Sequence, residues 1–191
     1  MENNATQNKD SENKSSLLKQ IRDYGISILI AITVALLCNA FVFARADVDG
    51  ESMLPTLHDK DVVFVEKITN LTKHFKRGQI IIFDRKNAEK DILVKRIIGI
   101  EGDQIQIKEG KVYLNGEALK EDYLADGTFT APSQFLANNK TYTVEKNHVF
   151  VLGDNRENSV DSRILGTINV NDIKGHTVIR LYPFNSVRLF K

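Results

Sequence analysis

Residues 25–44, GISILIAITVALLCNAFVFA, run for 20 positions without a charge. As a helix rising about 1.5 Å per residue, the run matches a hydrocarbon core of roughly 30 Å. Polar residues do not recur in it at the spacing a soluble amphipathic helix would show. It predicts a transmembrane anchor over 19–45. A cleavable secretory leader is the rival reading, because Ala44-Arg45-Ala46 is an A-x-A-type tripeptide directly behind the run. Against it stands length, since the apolar part of such leaders is usually about 7–15 residues. If that tripeptide is accessible, a cut just before Asp47 is expected to release a shortened domain. Lys14, Lys19 and Arg22 crowd the N-terminal flank, which assigns that side to the cytoplasm and the long remainder to the extracytoplasmic face, against the lipid bilayer. Residues 1–18, rich in Asn, Ser, Lys and Glu, cannot bury enough apolar surface to offset ordering, and are expected to form a disordered cytoplasmic tail.

From residue 46 to 191 the pattern changes to short apolar runs separated by turn residues. DVVFVEKI (61–68), GQIIIFDR (78–85), DILVKRIIGI (91–100), HVFVLGDN (148–155) and HTVIRLYPF (176–184) are rich in β-branched and aromatic residues. QIQIKEGKVYLNG alternates and turns at Glu109-Gly110, which predicts a hairpin. The expected fold is mainly β: one antiparallel β-sheet sandwich or partly closed barrel behind the anchor. The segment 104–147 is expected as an insertion within this domain, and its polar part, 117–147, as an excursion from the core sheets.

Composition removes several function classes. Twenty-six Lys+Arg against 25 Asp+Glu leave a net charge of +1, so no overall field favours nucleic acid. The lone Cys38 cannot form an intrachain disulfide, and His58, His74, His148 and His176 are scattered without metal-ligand spacing. No metal or other cofactor is expected.

The candidate chemistry lies in three segments. Ser52 sits in GESMLPTLHDKD (50–61), just behind the apolar run, and a serine hydroxyl needs a base before it can attack. No histidine is placed in a constrained, buried segment, but DILVKRIIGI is apolar on both faces except at Lys95 and Arg96. Neighbours on a strand point to opposite sides, so these two cannot share one environment. Burial disfavours the ammonium form, and a lysine brought down to about 7–8 can act as a base where arginine cannot. Lysines in apolar strands more often snorkel to the surface, and loop serines more often cap turns. VFVLGDNRENSVDSR (149–163) changes the balance, because it gathers two aspartates, two arginines and two hydroxyls right behind a buried strand.

GESMLPTL (50–57), RGQIIIFD (77–84), DILVKRIIGIEGDQI (91–105) and VLGDNRENSVDSR (151–163), in this order and spacing, resemble the sequence blocks of bacterial type I signal peptidases. These are membrane-anchored serine proteases with a Ser/Lys dyad. The resemblance runs from the anchor to the C-terminus, with the tail and 117–147 outside it. It implies a serine endopeptidase that removes N-terminal signal peptides from secretory pre-proteins after an Ala-x-Ala-type site. Carried across by position, Ser52 is the nucleophile, Lys95 the general base and Ser159 the hydroxyl that orients Lys95. The pairs Asp161 with Arg163 and Asp154 with Arg96 hold the segments in register. Met53, Leu57 and Val94, joined by Val48, line shallow pockets for the small substrate residues. Gly50 stands where some members carry a hydroxyl for the oxyanion, as in the Gram-positive-like branch, which leaves the Ser52 backbone N–H as donor.

Three other classes compete. A self-cleaving Ser/Lys repressor lacks a reason for the 25–44 run. SENK (11–14) and SLLK (16–19) match the S-x-x-K of penicillin-binding enzymes, but lie in the polar tail with no S-D-N or K-T-G downstream. A tethered binding module accounts for anchor and strands, but not for Ser52, Lys95 and the 154–163 cluster together.

Overall fold

The computed structural model describes residues 19–36, 42–86 and 91–190. Contacts divide the chain into one unit up to Val42 and a second from Phe43 to Lys191. In the first, helix α1 covers 19–36, and its side chains are exposed. Among the described residues no helix is long and apolar enough to cross a membrane. The tail 1–18 and the stretch 37–41 of the expected anchor lie outside the described residues.

The second unit is mainly β. Its strands are β1 (Phe43–Asp47), β2 (Val62–Glu66), β3 (Ile80–Asp84), β4 (Ile92–Ile100), β5 (Gln104–Lys108), β6 (Lys111–Leu114), β7 (Glu117–Ala118), β8 (Thr141–Thr143), β9 (His148–Leu152), β10 (Ile168–Asn169), β11 (Ile173–Tyr182) and β12 (Arg188–Leu189). A large antiparallel sheet runs β1-β2-β11-β3-β4-β9-β10, with β12 on β11, and a smaller one runs β7-β6-β5-β8. Short helices α2 (Ile68–Thr72) and α3 (Ser162–Leu165) interrupt the connections.

The apolar runs became central strands because both of their faces are covered. On β3, Ile81 and Phe83 pack with Ile97, Val149, Val151 and Ile173 on one side of the large sheet. Ile80 and Ile82 face the other way, into a cluster with Val63, Val65, Met53 and Leu57. On that same side, Phe150, Leu152 and Ile98 meet the small sheet through Ile105, Ile107, Val112 and Val144. The predicted hairpin is β5–β6, and its turn residues Glu109 and Gly110 take φ of 52° and 74°, the left-handed conformation that a tight two-residue turn requires.

Two boundaries differ from the sequence reading. The expected anchor ended at Arg45 and the domain began at Ala46, yet Phe43, Ala44 and Arg45 already belong to β1, in register with Glu66, Val65 and Phe64. FARAD alternates: Ala44 and Ala46 turn inward onto the cluster around Val63 while Phe43, Arg45 and Asp47 stay exposed, which is a strand pattern concealed at the end of an apolar run. The Ala44-Arg45-Ala46 tripeptide is thereby zipped to β2. The segment 117–147 is also no mere excursion. Leu119, Tyr123, Leu136, Tyr142 and Val144 pack in the core under the small sheet.

Close approach of β11 to β2 depends on Gly175, where a Cβ would lie 2.3 Å from the Glu66 carbonyl oxygen. Gly175→Ala is expected to cost about 1–3 kcal/mol through forced separation of two central strands. Urea unfolding of the β unit should show a lower midpoint at unchanged slope.

Candidate active site

The loop joining β1 to β2, residues 48–61, carries Ser52 and is closed at its base. Val48 N–H donates to the Asp61 carbonyl, and Lys60 N–H to the Val48 carbonyl, each at 2.8 Å. Gly50 has φ of 92°, and its N–H donates to the Asp59 carboxylate at 2.8 Å. Met53 and Leu57 anchor the loop from below, 1% and 0% exposed, beside Val48 and Val94. The four residues expected to line the substrate pockets therefore belong to one apolar cluster.

Thr56 is held from two sides by buried arginines. Arg180 Nη1 donates to the Thr56 carbonyl at 3.1 Å and to Asp61 Oδ2 at 3.0 Å, while Arg96 Nη2 donates to Thr56 Oγ1 at 3.3 Å. Arg96 also makes a fork to Asp154, Nε to Oδ1 at 2.9 Å and Nη2 to Oδ2 at 2.6 Å, and gives Nη1 to the Gly78 carbonyl. The ring of Tyr123 covers its guanidinium at 4.0 Å. Breaking so deeply buried a pair at one partner leaves the other charge uncompensated, at a cost of about 3–5 kcal/mol.

Lys95, one residue before Arg96, has a different partner. It is 2% exposed, and its Nζ lies 2.8 Å from Ser52 Oγ and 2.9 Å from the Val94 carbonyl. Among the described residues no carboxylate bonds it. Burial drives its pKa down to about 8, against the pull of the Asp161 and Asp154 carboxylates, which favour the charged form. Both carboxylates are already engaged: Asp161 by Arg163, Nε to Oδ1 at 2.8 Å and Nη2 to Oδ2 at 2.9 Å, and Asp154 by Arg96. The arrangement can hold a neutral amine against a hydroxyl near neutral pH, which is what general-base activation of a serine needs.

Asp161 additionally caps α3 and accepts the Gly153 N–H at 3.0 Å. Gly153 could not be another residue without displacement. A Cβ there would sit 2.2 Å from Ser159 Oγ and 2.5 Å from the Ser52 carbonyl. Ser159 thus lies beside the centre, but its Oγ is buried and bonds no group among the described residues, so the expected hydrogen bond to Lys95 is not formed.

Several residues at the site had no role in the sequence reading. Arg156, fully buried in its side chain, donates to the Gly153 carbonyl, to Thr130 and to both oxygens of Glu121. It ties the 117–147 segment to the 153–163 turn. Asn155 N–H donates to the Ser52 carbonyl at 3.0 Å, and its side chain to the Glu51 carbonyl at 3.1 Å. The Gly-Asp-Asn-Arg run was a visible signal, but nothing in the sequence shows which distant groups it meets. Among the described residues no three His, Cys, Asp or Glu side chains converge as a metal centre would require.

A serine held by a buried lysine on an antiparallel β scaffold can be activated as a nucleophile, and the comparisons with known proteins identify the class as a peptidase. The family model described as signal peptidase, peptidase S26, matches residues 21–182, and the chain belongs to that family of serine peptidases. It is similar to signal peptidase I of Bacillus amyloliquefaciens, 38% identical over 96% of this chain and 100% of that one. Signal peptidase I S of Bacillus subtilis is 39% identical over 93% of this chain and 97% of its own. A crystal structure of a signal peptidase I from Enterococcus faecalis is 28% identical, covers 54% of this chain and 96% of its own, and superposes with a TM-score of 0.44.

Holding the Lys95 ammonium in its site at pH 7 costs roughly 3 kcal/mol, since the folded value is near 8 and the unfolded one near 10.5. Between those values the unfolded chain binds more protons, so this penalty fades as pH rises. Lys95→Met should therefore melt higher than the parent at pH 7, with the gap closing towards pH 10. A lower melting temperature at pH 7 would contradict the assigned burial cost.

Proposed function

We propose that the chain is a membrane-anchored endopeptidase that removes N-terminal signal peptides from secretory pre-proteins after an Ala-x-Ala-type site. Ser52 serves as nucleophile and Lys95 as general base. The observation that carries this reading is the 2.8 Å contact between Ser52 Oγ and a lysine whose burial brings its pKa to about 8. At pH 7 about one-tenth of such a lysine is neutral, a fraction large enough to work with and far above that of an exposed lysine.

Neutral Lys95 takes the Ser52 proton as Oγ attacks the scissile carbonyl. The electron pair moves onto the carbonyl oxygen, which meets the Ser52 backbone N–H; among the described residues that N–H donates to no other group. Collapse of the intermediate expels the new N-terminus of the mature protein, which takes the proton from the Lys95 ammonium. Water then attacks the ester with Lys95 again as base; the acyl–Oγ bond breaks, Ser52 Oγ takes the proton back from Lys95, and the signal peptide leaves with a free carboxyl end. Asp154 with Arg96, and Asp161 with Arg163, keep the carboxylates from pairing with Lys95. Ser159 is a hydroxyl adjacent to this machinery, available to the ammonium once the Ser52 oxygen is acylated.

Specificity follows from the apolar cluster that holds Val48, Met53, Leu57 and Val94. An extended substrate added as a strand beside it would find shallow depressions that admit alanine and refuse larger side chains. The uncharged run 25–44 and the exposed apolar side chains of α1, among them Leu29 and Ile30, support a single lipid-embedded anchor. The N-terminus is then cytoplasmic and the catalytic unit extracytoplasmic.

Incubated in detergent with a precursor whose leader ends in Ala-x-Ala, the protein should produce one new N-terminus directly after the second alanine, and Ser52→Ala none. The rate should rise with pH through a limb near 8. Lys95→Arg should be as inactive as Lys95→Ala, because a guanidinium cannot take the proton. Near-normal turnover by Lys95→Arg would refute the base assignment.

A further inference from the structure

The oxyanion donor of this site belongs to the peptide that joins Glu51 to Ser52. Its N–H is that of Ser52, and its carbonyl is that of Glu51. The peptide is trans, so the two groups point in opposite directions, and whatever grips the carbonyl fixes the direction of the N–H. Two donors grip it. Leu54 N–H reaches the Glu51 oxygen at 3.1 Å from within the loop, and Asn155 Nδ2 reaches it at 3.1 Å from the far side of the site.

The orientation of that side-chain amide is determined by its partners. Asn158 N–H can only donate, and it faces Asn155 Oδ1 at 3.3 Å; the Glu51 carbonyl can only accept, so it must face Nδ2. The backbone of Asn155 grips the next peptide as well, its N–H donating to the Ser52 carbonyl at 3.0 Å. One residue therefore holds both peptides that flank the serine Cα. Its own position is set by neighbours on either side, Asp154 in the fork with Arg96 and Arg156 in the fork with Glu121.

We propose that Asn155 is a positioning residue for the oxyanion site: through its bond to the Glu51 carbonyl it aims and polarises the Ser52 N–H at the developing negative oxygen. A peptide group that accepts strongly at its carbonyl becomes a better donor at its N–H. Gly50 offers no side-chain hydroxyl to share that task, so the orientation of this single peptide matters more here than in a site with a second donor. The inference rests on Ser52 being the nucleophile.

The test compares Asn155→Ala and Asn155→Asp with the parent on a signal-bearing peptide substrate and on a peptide aldehyde ending in Ala-x-alaninal. Ser52 Oγ adds to the aldehyde carbon, the Oγ proton passes to Lys95, and the carbonyl pair becomes an oxyanion at the position in question. Outright loss of an oxyanion donor costs about 10²–10³ in kcat. Loss of its alignment should cost about 10- to 100-fold in kcat, leave KM within about twofold, and weaken the aldehyde by a factor similar to the loss in kcat. In Asn155→Ala the midpoint of the rate–pH limb should stay near 8, because Lys95 is untouched and no charge is added. Asn155→Asp keeps the acceptor for Asn158 N–H and the shape of the turn, so its loss cannot be assigned to a collapsed loop. An unchanged kcat, a loss confined to KM, or unaltered aldehyde affinity beside a lower kcat would each overturn the proposal. Ser52→Ala, assayed in parallel, separates this from the underlying reading: activity surviving there removes the nucleophile, and the proposal with it.

Discussion

A lysine that no carboxylate bonds among the described residues, buried on a central strand, is the constraint around which this structure is arranged. Lys95 is 2% exposed and meets a hydroxyl and a carbonyl oxygen, which leaves its ammonium form poorly solvated. Two carboxylates, Asp161 and Asp154, lie near enough to raise its pKa. Each is bound in a fork by an arginine, Asp154 by Arg96 and Asp161 by Arg163. Arginine suits that position because it stays charged, whereas a second lysine could neutralise itself by losing a proton. The ion pairs thus have an electrostatic consequence beyond their contribution to register.

The same pairs fix the loops. Arg96 and Arg180 reach Thr56 from opposite sides, so the Ser52 loop is attached to β4 and β11 through one threonine. Arg156 attaches the turn at Gly153 to the 117–147 segment, and Gly153 lies so close to Ser52 and Ser159 that no side chain fits. Residues separated by more than a hundred positions are held by short polar contacts within an apolar frame. Such preorganisation suits a reaction that develops charge in place, since the surrounding dipoles need not move.

Much of this frame was legible in the sequence, and the reasons for success and failure are physical. Strands β3, β4 and β9 read clearly because continuous apolar runs bounded by turn residues have few alternatives once both faces are covered. The β5–β6 hairpin was legible through Glu109-Gly110. The pairings of Asp154 with Arg96 and Asp161 with Arg163 were expected from the resemblance, and the structure forms both. β1 was not legible, because Ala44 and Ala46 alternate within a run whose apolar character pointed to lipid. The packing of Tyr123 over Arg96 and the bond from Asn155 to Glu51 were hidden for another reason: loop residues carry no periodicity, so their partners are set only by the assembled fold. Ser159 departs from expectation at the level of single atoms, lying beside the site with its hydroxyl bonded to no group among the described residues.

The fold itself, before any substrate binds, lowers the Lys95 pKa to about 8 and so keeps it partly neutral near physiological pH. The most direct measurement is an NMR titration of the catalytic unit carrying lysine labelled with 13C at Cε, with Ser52→Ala as a companion and Lys95→Met to assign the resonance. The expected result is a Lys95 signal that titrates near pH 8 while the exposed lysines titrate near their ordinary value of about 10.4. A Lys95 resonance that moves together with the surface lysines would contradict it.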